Sequence, residues 1–341
     1  MNTYFTIILA ILIGRLLLDV ITETLNLRHI KTTLPHQFHG YFDDERYRTS
    51  QEYLRDTTRF GIVSSTFDTA VPIIFMVIGG FNWVDSLARS AHLGAIPTGL
   101  IFTALLLLGQ LLISLPFSWY STFVIEEQYG FNKTTLRTFV VDILKGMLLT
   151  VIIGFPIFAA VLWFFTAWPN IAWLYSWIAV SLFQVVMVFI GPTLIMPLFN
   201  RFTPLDKEEL RNAIQTYASQ QRFAMQGVFE MDGSKRSAKS NAFFTGFGRS
   251  RRIVLFDTLI AKYTIPELVA IVAHEMGHYK KKHIAKGILR AIASTGITFF
   301  LLSLFIENKG LFAAFRMDHI SIYASFVFFG FLYSPLALAI G

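Results

Sequence analysis

No cysteine occurs among the 341 residues. That excludes a disulfide framework and thiolate metal ligands. Charge is scarce too: Asp, Glu, Lys and Arg make up 15% of the chain, against about a quarter in ordinary soluble domains. A soluble chain of this length needs more polar surface than that, so a soluble globular protein is excluded. No nucleic-acid motif accompanies the net charge of +7, and basic residues gathered at an anionic lipid leaflet account for it. The first apolar run lacks a small-residue cleavage signature, so it reads as a retained span and not a signal peptide. Paired repeats of the kind that transporters carry are not visible.

Apolar residues are what the chain has in abundance. They make up 54% of it, with a mean hydropathy of +0.54. Seven runs approach or exceed the roughly 20 residues that cross a bilayer, at 4–20, 62–84, 99–125, 143–168, 171–199, 287–306 and 320–340. The expected fold is therefore mostly α: a polytopic membrane protein with about seven transmembrane helices. Arg15 and Asp19 lie four apart in the first span and are expected to pair, facing the bundle. The first, third and fifth connections hold 6, 2 and 16 Lys plus Arg, against 1, 0 and 2 in the second, fourth and sixth. This asymmetry puts the odd connections in the cytoplasm.

One motif carries chemistry. His274-Glu275-Met276-Gly277-His278 follows a helix-start signal at Thr264-Ile265-Pro266-Glu267, a capping box with proline in the first turn. On a helix, residues four apart share a face, so both imidazoles can reach one metal ion while Glu275 sits beside it. Zinc takes neutral imidazole nitrogens and, in a catalytic site, keeps one position open for water, whose pKa falls to about 7. Glu275 is the candidate general base. A single Zn2+ ion is the expected cofactor, with His274 and His278 as ligands.

The stretch 200–283 is the only polar segment long enough to fold outside the bilayer. The chain thus divides into spans one to five at 1–199, a small α+β cytoplasmic zinc-protease domain at 200–283, and spans six and seven at 284–341. Asp206 and Glu209 read as an N-cap pair for a helix through Leu210, Ile214 and Tyr217. Strand signals follow at 227–231, 241–247 and 252–256, with a turn near Gly248. Residues 241–247 are the candidate open edge to which an extended peptide could add, and Asn241, Ala242 and Phe243 are the candidate substrate-binding residues. Lys280, Lys281, Lys282 and Lys286 read as a juxtamembrane cluster on anionic lipid.

Several stretches together resemble the type I CAAX prenyl endopeptidases, integral-membrane zinc proteases that remove the C-terminal tripeptide of prenylated proteins. They are Phe123 to Asn132 with Thr135-Leu136, Pro197 to Asn200, Phe202 to Leu205, Gly233 to Ser237, Ser240 to Phe243, and Arg252 to Leu259 ahead of the motif. The resemblance implies seven helices around a large intramembrane chamber, a zinc site at its cytoplasmic end, and Asn241 and Ala242 in a substrate-holding edge strand. It also implies a third zinc ligand, a glutamate on a helix after the seventh span, expected beyond Gly341. His283, nine residues past His274, falls about 180 degrees around a continuous helix and is not expected at the metal. Glu307, Asp318 and His319 belong to connections placed across the membrane. The implied partners are a protein or peptide substrate, possibly prenylated, and the lipid bilayer, with no nucleic acid. The implied location is the endoplasmic reticulum or a bacterial inner membrane, with the site facing the cytoplasm. Two alternatives stand beside this reading: the related heat-shock quality-control proteases, whose membrane region is shorter, and a non-catalytic transporter or scaffold that keeps the histidine pair.

Overall fold

A computed structural model describes residues 2–246 and 251–340. Apolar runs become helices because a chain in lipid must satisfy every backbone N–H and C=O within itself. Among the described residues, six helices are long and apolar enough to cross a membrane: α1 Thr3–His29, α2 Asp44–Val77, α4 Ala95–Gln128, α5 Leu136–Ala167, α6 Ala172–Phe199 and α10 His283–Ser303. The seventh expected span is α12, Ile322–Ile340, an apolar helix of 19 residues. Between these lie α3 (Gly80–Arg89), α7 (Glu208–Gln220), α8 (Asp257–Lys262), α9 (Ile265–Lys280) and α11 (Lys309–Ala314).

The second span differs from its expected bounds. Helix α2 starts at Asp44, where the Asp43 carboxylate accepts the Arg46 amide at 2.8 Å, and it stops at Val77. Gly79 at φ 78° then turns the chain into the separate helix α3. An apolar window sees neither the polar first half of α2 nor this break. In α1, Arg15 and Asp19 do pair, at 3.8 Å, with both side chains about half exposed.

The chain forms two compact units, residues 1–129, 151–176 and 297–341 in one and 130–150 and 177–296 in the other. The first has an aromatic core in which Phe315 stacks on Phe328 at 3.8 Å, with Phe81 edge-on to both. Buried Asp85 accepts hydrogen bonds from Arg89 Nε at 2.7 Å and from the Tyr323 hydroxyl. Gly99 is required here, because a Cβ would stand 2.8 Å from the Tyr323 ring and 2.9 Å from Leu162.

The second unit holds a four-stranded sheet in the order β1-β2-β4-β3, with β1 Phe202–Pro204, β2 Gly227–Met231, β3 Ala242–Thr245 and β4 Arg252–Phe256. β2 and β4 run parallel; β1 and β3 pair antiparallel on the outside. Two of the expected strands appear with their predicted limits. The third is shorter than 241–247, and its last residue, with the turn near Gly248, lies outside the described residues. β1 was not expected. It occupies the stretch read as leading into a capped helix, and the Asp206 cap does not form: the N-cap of α7 is Lys207, without a side-chain bond. Leu210, Ile214 and Ala218 of α7 are buried as its periodicity requires, in one core with Val228, Ile253 and Leu255 of the sheet.

Candidate metal and substrate site

Helix α9 begins as its sequence dictates. The Thr264 amide donates to Glu267 Oε2 at 2.8 Å and the Thr264 hydroxyl to the same oxygen at 2.7 Å. The hydroxyl above all, then the amide, holds the Glu267 carboxyl below the usual glutamate range. Leu268, Val272 and Met276, four apart, are buried in the core shared with the sheet. His274 and His278 are two positions further round, about 200 degrees from that stripe, and are exposed. Glu275 stands between the two faces and is half-buried.

The two imidazoles converge: His274 Nε2 and His278 Nε2 are 3.1 Å apart. Two ligands bound to a tetrahedral zinc at about 2.0–2.1 Å stand roughly 3.3 Å from each other, so the pair fits a shared metal ion. Among the described residues no group of three His, Asp or Glu side chains is gathered to complete a metal shell.

Position 283 departs from the helical-wheel expectation. Helix α9 ends at Lys280 and α10 starts at His283, with Lys282 at φ 55° between them. The turn folds His283 back so that its Nδ1 lies 2.8 Å from Nδ1 of His278. No glycine or proline marks this break. The lysine cluster changes too: Lys280 Nζ donates to Gln221 Oε1 at 2.7 Å, joining α9 to the end of α7, while Lys281, Lys282 and Lys286 stay exposed.

β3 packs against α9 and is an outermost strand of the sheet. The bond from the Phe256 amide to the Asn241 carbonyl, at 3.1 Å, fixes the phase of the ladder. In an antiparallel pair alternate residues bond inward, so Asn241, Phe243 and Thr245 bond toward β4, and the N–H and C=O of Ala242 and Phe244 point to the open edge. Asn241 caps that edge itself, its Oδ1 accepting the Ala242 amide at 2.9 Å. The Phe243 side chain lines a cavity of about 490 Å³, with Phe202, Phe229 and Val254 from the sheet and Thr193 and Met196 from the end of α6.

Sequence reasoning assigned no role to Arg236. Its guanidinium grips Asp142 of α5 with two bonds, at 2.7 and 2.9 Å, and also donates to the Phe199 carbonyl at 2.9 Å and to Asn200 Oδ1 at 3.1 Å.

A His-Glu-x-x-His helix seated on a sheet with an open edge, in a chain with six membrane-length helices, defines the class: an integral-membrane metallopeptidase. Comparison with known proteins agrees. Residues 23–201 match a family model described as the CAAX prenyl protease N-terminal region with five membrane helices, and residues 204–340 match peptidase family M48. The probable CAAX prenyl protease 1 of Schizosaccharomyces pombe is 37% identical over 297 residues, covering 81% of this chain and 61% of that protein. The CAAX prenyl protease 1 homolog of Arabidopsis thaliana is 35% identical, covering 95% and 80%. The crystal structure of S. mikatae Ste24p superposes with a TM-score of 0.94 at 31% identity, covering all of this chain and 84% of that one. The chain belongs to the CAAX prenyl protease family of M48 peptidases. It spans less than two thirds of the fission-yeast relative and of the CAAX prenyl protease 1 of Saccharomyces cerevisiae, where coverage is 65%.

Proposed function

We propose that this protein is a membrane-embedded zinc endopeptidase that removes the C-terminal tripeptide of prenylated CAAX proteins. The observation that carries the reading is the 3.1 Å approach of His274 and His278 Nε2 on the helix that packs against β3, with Glu275 next to His274 in the chain. His274 and His278 would hold the metal ion. Bound there, zinc would supply Lewis-acid chemistry, lowering the pKa of a water and polarising a carbonyl. Glu275 would serve as the general base and acid, accepting the proton of the attacking water and passing it to the leaving amine nitrogen.

The substrate lies as an added strand along β3. Its backbone replaces the Asn241 side chain at the Ala242 amide and bonds the outward groups of Ala242 and Phe244. Alternate substrate side chains then face the apolar cavity beside Phe243. The basic bias of the odd connections supports a cytoplasm-facing site, in the endoplasmic reticulum or a bacterial inner membrane.

The test is Glu275→Gln in the intact protein. Cleavage is expected to fall by a factor of about 10²–10⁴, the usual contribution of a general base, while zinc content is unchanged. Full activity in that variant would refute the mechanism.

A further inference from the structure

His283 is left without a role by the mechanism above, although its ring nitrogen is 2.8 Å from that of His278. We infer that His283 is a positioning residue for the metal ligand His278; this rests on the zinc reading proposed above. Each imidazole has two nitrogens facing opposite ways across the ring. His278 turns Nε2 toward His274 and Nδ1 toward His283. A metal ion shared by His274 and His278 therefore lies on the far side of the His278 ring from His283. That placement rules out His283 as the third ligand and puts it behind the second.

Ligation through Nε2 requires the proton of His278 to sit on Nδ1, and what Nδ1 bonds to selects that tautomer. His283 Nδ1 supplies the acceptor, its own proton then residing on Nε2. The bond also fixes the plane of the His278 ring, as outer partners of ligating histidines do. The backbone is shaped for this contact. Had α9 run on, position 283 would lie about 140 degrees round from His278, but the left-handed Lys282 breaks the helix and brings His283 back. The three rings form a chain: His274 and His278 are 4.9 Å apart by centroid and meet edge to face, as do His278 and His283.

The test uses the intact protein in detergent, stripped of metal and titrated with zinc against a chromophoric chelator. Cobalt(II) absorption serves as a second report on the ligand geometry. His283→Phe keeps an aromatic ring but cannot accept a bond, whereas His283→Gln offers a carbonyl acceptor. His283→Phe is expected to lower zinc affinity about 10–100-fold and to alter the cobalt spectrum, with metal-free melting unchanged, and His283→Gln should restore most of the affinity. If the phenylalanine variant does not fold, His283→Ala, which adds no bulk, carries the same expectation. Parental zinc affinity in the phenylalanine or alanine variant, or an equal loss in the glutamine variant, would overturn the inference. A parent protein that takes up no zinc would instead overturn the proposed function.

Discussion

Arg236 makes four hydrogen bonds that join α5, the end of α6 and the loop after β2. Asp142, its main partner, is about one quarter exposed, as is Arg236 itself. Truncating the arginine strands a mostly buried carboxylate and two other acceptors, and an unmet group of this kind costs about 1–3 kcal/mol. Arg236→Ala should therefore lower the melting temperature clearly, and Arg236→Lys, which keeps the charge but loses the two-pronged grip, should recover only part of it. Thermal unfolding in detergent reads both. A variant as stable as the parent would mean that the grip adds nothing. The approach of His274 and His278 was legible at this scale because a helix turns spacing into proximity. His283 was not, since its neighbour Lys282 takes a left-handed conformation that no glycine or asparagine announces.

At the scale of elements, the edge strand makes the sharpest claim. In β3 the backbone groups of Ala242 and Phe244 point to the open edge, where the proposed substrate strand would bond, and the Asn241 side chain takes the Ala242 amide. Proline at 242 removes that outward N–H without touching the ladder to β4, and edge strands tolerate it. Ala242→Pro is thus expected to lower kcat/KM by about tenfold, the worth of one hydrogen bond at the upper end of its range, with little change in melting temperature. Unchanged kinetics would place the substrate elsewhere. The strands at 227–231 and 252–256 were readable from their β-branched and aromatic residues between turn signals. β1 was not: it has three residues, ends in proline, and exists because β2 offers it an edge. The caps divide the same way. Thr264 to Glu267 pair locally and could be read; Asp206 yields to the strand that precedes it. Apolar windows located the apolar part of α2 but not its polar start at Asp44, where Asp43 makes the cap outside any such window.

Across the whole molecule, a metallopeptidase motif in a chain with six membrane-length helices is what the proposed function needs, since its substrate would be anchored in the bilayer. A lipid-modified C-terminus stays at the membrane surface, and a soluble peptidase would meet it rarely. Removing the metal with a chelator should end cleavage, and zinc should restore it.

The most direct measurement is mass spectrometry of the products from a farnesylated peptide ending in a CAAX sequence, incubated with the intact protein in H₂¹⁸O. The account predicts a single cut after the prenylated cysteine, release of the C-terminal tripeptide, one ¹⁸O atom in the new carboxylate, and no product from the Glu275→Gln protein. A cut at another bond, or the same cut from the Glu275→Gln protein, would contradict it.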